Sequence, residues 1–316
     1  MSILRLVATR LIYTVPVLIG VTLVVFLALQ LVPGDIALTL LGRFASAERL
    51  AAVRSELGLD RPLAIQYVNW LWNLLHGDLG RSLAQQRPVA AILGGKIINS
   101  LILMAGSLVL VIVFGFLLSV LAASRFRQPL DRIIVGIMLV LASVPVFWLG
   151  IVLLYVFGIH WKLLPISGIY NMIDPGGFKQ LIQHLILPSL ATAASSIAVV
   201  TRVTRARLID VLHQPYILAG AARGLSRRRM VWKHGVRNAL PTFANIGGLQ
   251  IGYLFGGVIF SEIIFNWPGI GEQLYQSILQ RDAPMIQGCV LVVAAVFVIG
   301  NLISDVIVDA LDPAQR

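Results

Sequence analysis

Six stretches free of Asp, Glu, Lys and Arg run through the chain: Leu11 to Gly34, Ile97 to Ser124, Ile133 to Trp161, Gln180 to Thr201, Asn238 to Ser261 and Ala283 to Ser304. Each is long enough to cross ~30 Å of hydrocarbon as a helix, which takes roughly 20 apolar residues. They are rich in Leu, Ile, Val, Ala and Gly without strict alternation, so they read as helices and not as barrel strands. A seventh gap, Leu163 to Ile173, is short and is interrupted by Pro165 and Gly168. The expectation is an all-α membrane protein with six transmembrane helices. Only 12% of the 316 residues are charged, against about a quarter in a soluble domain. A single cysteine, Cys289, excludes an internal disulfide framework, a zinc cluster and an iron–sulfur centre built from this chain alone.

The first window follows Arg5 and Arg10, as the core of a secretory signal follows its basic start. The run is longer than such a core and no small-x-small site follows it. It leads into Val32-Pro33-Gly34-Asp35, which reads as a turn ending a membrane helix at the interface. Placing the N-terminus inside puts fifteen of the 25 Lys+Arg on the inner segments, and with them nearly all of the net charge of +11. The positive-inside rule then sets both termini in the cytoplasm. Lipid topology accounts for the basic balance, so no nucleic-acid partner is needed to explain it; membrane lipid is the expected surroundings.

The connecting segments carry the remaining information. In the outer segment 35–96, Ser46 to Leu57 reads as a short amphipathic helix with Ser46 as N-cap and Gly58 as its stop. Pro62 opens a second one ending near His76-Gly77-Asp78, whose apolar face holds Tyr67, Trp70, Leu71 and Leu74. Two readings fit that face: a helix lying at headgroup level, or a docking surface for an external partner. The outer loop Glu262 to Asp282 contains Asn266-Trp267-Pro268-Gly269-Ile270-Gly271-Glu272, which suggests a tight re-entrant turn that returns a short helix to the surface. It fits a plain hairpin or a lid over an outward-facing cavity.

The inner segment 202–241 is unusual. From Arg202 to Arg237 it has nine basic residues and one acid, Asp210, and it groups small residues between Pro215 and Arg227. A solvated basic loop explains the charge and leaves Ala219 to Gly224 unexplained. Small side chains let a helix pack closely against a partner, and flanking arginines pair with acids or anionic lipid.

These residues resemble a known family. Tyr216-Ile217-Leu218-Ala219-Gly220-Ala221-Ala222-Arg223-Gly224-Leu225, followed by Arg237-Asn238-Ala239-Leu240-Pro241, is similar to the cytoplasmic coupling loop, the EAA loop, of inner-membrane permease subunits of bacterial ABC importers. It departs from that pattern in lacking a Glu at the first position, where Ala219 or Gly220 stands. Further stretches resemble the first, B-type permease of the dipeptide/oligopeptide/nickel branch. These are Val32-Pro33-Gly34-Asp35, Gly58-Leu59-Asp60-Arg61-Pro62, Gly77-Asp78-Leu79-Gly80-Arg81-Ser82, Trp267-Pro268-Gly269, Arg281-Asp282 and Leu311-Asp312-Pro313.

The resemblance implies a single transmembrane permease domain over 1–316 with the type I importer fold, forming half of a translocation channel. A second homologous permease would complete the channel as a heterodimer, two cytoplasmic ATPase subunits would bind the 202–241 loop, and an external solute-binding protein would deliver cargo. ATP and Mg would be used by those partners, with no cofactor, metal or catalytic residue in this chain. The sequence agrees with a non-catalytic subunit: Leu93-Gly94-Gly95-Lys96-Ile97 lacks the first glycine and the Ser/Thr of a phosphate loop, and neither H-E-x-x-H nor G-x-S-x-G occurs. Coupling falls to Tyr216, Ala219, Gly220, Ala221, Ala222, Arg223, Gly224, Leu225 and Pro241. Asn245, Gln250 and Glu262 are candidates for the pathway, beside the plainer readings of interhelical hydrogen bonds and an interfacial acid. The implied cargo is a short peptide, with nickel, glutathione or another small solute as alternatives within the branch. An ion-coupled secondary transporter is the alternative class, disfavoured because it calls for carboxylates or broken helices at mid-membrane and the sequence displays neither.

Overall fold

The computed structural model describes residues 3–31, 46–56, 58, 60–171 and 176–311. The motif Val32-Pro33-Gly34-Asp35, Leu57, Leu59 and the closing Asp312-Pro313 lie outside the described residues. The architecture is helical: α1 (Ile3–Leu31), α2 (Ala47–Glu56), α3 (Leu63–Leu75), α4 (Val89–Ser124), α5 (Pro129–Ser143), α6 (Val146–Leu153, continuing as a π turn Leu154–His160), α7 (Phe178–Leu212), α8 (Pro215–Ala222), α9 (Arg227–Ile264, with a π turn at Met230–Val236), α10 (Ile270–Leu279) and α11 (Ala283–Leu311). No strand occurs among the described residues beyond an isolated bridge between Arg81 and Pro88.

Among the described residues five helices, α1, α4, α7, α9 and α11, are each long and apolar enough to cross a membrane. The sixth span departs from the expectation. The charge-free run Ile133 to Trp161 is not one helix but α5 and α6, bent by 109°. Pro145 causes the break: it has no N–H to continue the ladder and its ring pushes the preceding residue out of the helical region. Val144 accordingly sits at φ −82°, ψ 126°. A broken helix was one of the features whose apparent absence argued against an ion-coupled transporter, and that ground falls away. The fifth span also begins earlier than its charge-free window, because the basic stretch from Arg227 is helical and runs straight into it.

Contacts divide the chain into two compact units, Met1–Ala8, Ser100–Pro268 and Phe297–Arg316 in one, Thr9–Asn99 and Gly269–Val296 in the other. In the first, α7 is the most buried span. Its Ala193, Ile197, Ala198 and Val200 pack with Val111 and Ala122 of α4, Ile134 and Met138 of α5, and Leu254 of α9. Lipid chains are as apolar as leucine, so such helices associate through close packing at small residues. A Cβ added at Gly115 would lie 2.8 Å from Val200 Cγ1, and one at Gly106 2.8 Å from Leu185 Cδ2. A buried hydrogen bond between Thr192 Oγ1 and Ser261 Oγ, 2.7 Å, pins α7 to α9.

In the second unit, the N-cap and stop read from the sequence are in place. Ser46 Oγ accepts from the Arg49 N–H at 3.3 Å, Gly58 has φ +68°, and α3 ends at Gly77, φ +80°, where the Asp78 N–H donates to Asn73 O at 3.0 Å. The half-buried face of α3 is the one expected, but it turns toward α1: Tyr67 Oη meets Thr22 Oγ1 at 2.9 Å, and Tyr67 and Trp70 ring Phe26 at 5.4 and 6.0 Å. Ile65, Val68, Trp72 and Leu75 are exposed on its other side. Gly94 and Gly95 lie within α4, while Lys96 pairs with Glu272 of α10 at 2.8 Å. The short helix α10 packs its Ile270 and Leu274 with Val89, Leu93, Met285 and Cys289, as a structural element of this unit.

Two of the separated motifs meet here. The buried carboxylate of Asp282 accepts from Ser82 Oγ at 2.5 Å, from the Leu83 and Ala84 N–H groups at 3.1 and 3.2 Å, and from the Met285 N–H at 3.3 Å. Removing it leaves several donors unsatisfied at about 1–3 kcal/mol each. Asp282→Ala is expected to destabilise the protein by about 3 kcal/mol, read as a lowered thermal midpoint in detergent, and a midpoint equal to that of the wild type would contradict this reading.

Candidate translocation and coupling site

The break at Pro145 opens a cavity of about 680 Å³ in the first unit. Ala142, Val146 and Phe147 contribute from the bend, with Pro145 itself. From α7 come Thr192, Ser195, Ser196 and Val199, spaced so that they share one helical face. From α9 come Gln250, Tyr253, Gly256, Gly257 and Phe260, again one face. Among the described residues no Asp, Glu, Lys, Arg or His lines it. Its chemistry is that of hydroxyls, one carboxamide and aromatic rings, able to hold amides and apolar groups without selecting a charge. Tyr253 stands out at 80% exposed. Gly257 lets α9 approach α7 closely: an added Cβ would lie 3.3 Å from Thr192 Cγ2.

Of the three pathway candidates, only Gln250 lines this cavity. Asn245 is exposed elsewhere on α9. Glu262 is wholly buried: Ser100 Oγ donates to its Oε1 at 2.5 Å, and its backbone carbonyl accepts from the Trp267 N–H at 2.9 Å. Glu262 thus closes the turn after α9 over the cluster of Leu103, Val258 and Trp267. The sequence reading missed Ser195, Ser196 and Tyr253, because the bend that completes the cavity around them was invisible.

The coupling residues form α8 and its stop. Gly224 has φ +82°, and the Leu225 N–H donates to Gly220 O at 3.2 Å, the long bond of a Schellman end. Gly220 stands close to Leu225, whose Cδ1 lies 3.1 Å from where a Cβ would be. Ile217 is buried inward, while Tyr216, Ala219, Ala222, Arg223 and Gly224 are exposed. The result is a small-residue face on a helix anchored by one apolar side chain. Asn238 Nδ2 donates to Tyr216 Oη at 3.2 Å, tying α8 to α9. Pro241 lies within α9, one turn past the π turn. That turn buries Val231 with Val120 and Ala123 of α4, Leu208 of α7 and Ala239 of α9.

A buried ion pair missed in the sequence holds the same end. Asp131, at the start of α5, receives Arg205 of α7 in two parallel hydrogen bonds, Nε to Oδ1 at 2.6 Å and Nη2 to Oδ2 at 2.7 Å. The Arg127 N–H adds a third at 3.0 Å, and the Arg205 guanidinium lies 5.6 Å from the Phe126 ring centre. Asp131 was one acid among many arginines in the sequence; its place at the first turn of a helix was the one signal available. A double-mutant cycle on Asp131→Ala and Arg205→Ala is expected to give a coupling energy of about 2 kcal/mol in thermal unfolding, whereas additive effects would mean that the pair contributes nothing jointly.

Comparison with known proteins places this geometry. Residues 115–316 match the family described as "Binding-protein-dependent transport system inner membrane component", and residues 3–104 match its N-terminal membrane component. The chain is 33% identical over 335 residues to the dipeptide transport system permease protein DppB of Escherichia coli K12, covering 99% of both chains. It is 38% identical over 314 residues to the glutathione transport system permease protein GsiC of Escherichia coli O6:H1 and 37% identical to that of Salmonella typhimurium LT2, each again over 99% of both chains. The chain belongs to the binding-protein-dependent inner-membrane permeases of ABC importers, as a multi-pass protein of the inner membrane.

Proposed function

We propose that this chain forms half of the channel of an ATP-driven importer of short peptides. Its termini lie in the cytoplasm, a second related permease completes the channel, two ATPase subunits seat on α8, and an external binding protein delivers the cargo. The observation that carries the cargo class is the cavity at Pro145, whose walls offer hydroxyls, a carboxamide and aromatic rings but no fixed charge. Short peptides of differing side chain share only their amide backbone, and that is what such walls suit. The dipeptide and glutathione permeases among the relatives support the same class. Glutathione is a second reading, supported by the higher identity to its permeases.

The chain itself performs no hydrolysis. ATP and Mg act in the partner subunits, whose closure moves α8 as a rigid body. The motion reaches the cavity through α7 and α9, which carry both the anchoring residues and the cavity faces. Ala222→Glu on the exposed face of α8, or Gly224→Trp just past its end, is expected to leave the protein inserted and the ATPases active at their basal rate while peptide uptake and its stimulation of hydrolysis are lost. Reconstituted vesicles containing all subunits give both rates, and full uptake in either variant would exclude α8 as the coupling element.

A further inference from the structure

A second cavity, of about 670 Å³, lies where the last turns of α4 meet the start of α9. Its walls separate by chemistry along the axis of α4. Leu117, Val120, Leu121, Val231 and Trp232 form the apolar part. Arg125, Arg227 and Arg228 form the mouth, beyond the end of α4. Leu117 and Arg125 are eight residues apart, so the apolar wall reaches about 12 Å inward from the charge. Arg227 is already held, donating through Nη2 to Ser124 O at 2.7 Å. Asp131, the acid of the adjoining turn, is taken by Arg205. No acid lines the cavity, and among the described residues neither Arg125 nor Arg228 has an acidic partner.

We infer that this cavity is a binding site for an anionic phospholipid of the inner leaflet, its headgroup phosphate on Arg125 and Arg228 and an acyl chain along Leu117 and Leu121. Arg125 and Arg228 at one end match a phosphate, which guanidinium groups bind in a fixed fork. An apolar wall running inward from them matches a hydrocarbon chain covalently attached to that phosphate. A free anion has no use for the wall, and an acidic protein segment would not extend to Leu117. Basic pockets between helices at the cytoplasmic ends of spans hold acidic headgroups by the same logic. Trp232, half exposed with its ring 6.3 Å from that of Phe116, lies at interfacial level where tryptophan is favoured. The cavity is lined by Val231 and Trp232 of the π turn, so an occupied cavity would brace the root of α9. The inference rests on the membrane orientation proposed above but not on the cargo.

The test uses the full-length chain in mild detergent, with whatever subunits accompany it, titrated separately with phosphatidylglycerol and phosphatidylcholine carrying brominated acyl chains, which quench nearby tryptophan. The part of the quenching lost in Trp232→Phe reports this cavity. Phosphatidylglycerol is expected to quench at lower concentration than phosphatidylcholine. Arg125→Gln with Arg228→Gln is expected to weaken phosphatidylglycerol about 25-fold, at about fivefold per arginine, and to leave phosphatidylcholine unchanged. Arg125→Lys with Arg228→Lys, which keeps the charge but not the fork, is expected to weaken phosphatidylglycerol less than the glutamine pair does, and the unchanged phosphatidylcholine binding shows that the glutamine variant is folded. Equal quenching by the two lipids in the wild type would overturn the inference. So would displacement of phosphatidylglycerol by millimolar inorganic phosphate, which marks a free-anion site, or loss of co-purifying ATPase with lipid preference intact, which marks a protein-docking surface. None of these readouts involves transport, so failure here is distinct from failure of the importer reading.

Discussion

Hydrocarbon offers no partner to a backbone N–H or C=O, and the rest of this structure follows from that constraint. It forces the apolar windows into helices and leaves the helices to associate by close approach at Gly106, Gly115 and Gly257. It also makes the one interruption informative. At Val144-Pro145 the helix pair is bent by 109°, and the bend lines a cavity. Irregular backbone at membrane depth is tolerated in that setting, and in this chain it stands at the candidate pathway.

Two helices join that cavity to the cytoplasmic surface proposed for the ATPases. Along α7, the cavity face at Thr192 to Val199 is followed by Arg205 and Leu208 and then by α8. Along α9, the buried Val231 near its start lies nineteen residues, about 28 Å, from Gln250. Packed helices shift as bodies and do not stretch, so a displacement at α8 has a direct mechanical route to the cavity walls. The Asp131–Arg205 pair and the cluster around Val231 keep the roots of α4, α5, α7 and α9 in register at that end. Glu262 and Asp282 serve differently: both are buried acids that hold turns by accepting hydrogen bonds, one in each unit.

Much of this was legible in the sequence because it rests on local physics. Apolar length gave the spans, Ser46 and Gly58 gave the bounds of α2, and Gly224 gave the end of α8. The bend at Pro145 was not, since a proline inside a long apolar run is compatible with a mild kink as well as a break, and only packing decides between them. Without the bend, the cavity and the roles of Ser195, Ser196 and Tyr253 were out of reach. The Asp131–Arg205 pair joins residues 74 positions apart, and the contact between Ser82 and Asp282 spans 200. No periodicity encodes such pairings. The motifs holding Ser82 and Asp282 had been identified as separate marks of one family, and their contact gives a physical reason for both.

The most direct test of the central claim, that this chain is the passive half-channel of an ATP-driven peptide importer, is uptake into sealed proteoliposomes containing the chain and the subunits that purify with it. ATP inside mimicry is achieved by trapping it on the α8 side, with peptide-loaded binding protein on the other. The account predicts labelled dipeptide accumulation that requires ATP and the binding protein together and is insensitive to collapse of proton and sodium gradients. Accumulation driven by an ion gradient with the chain alone, without ATP or binding protein, would contradict it.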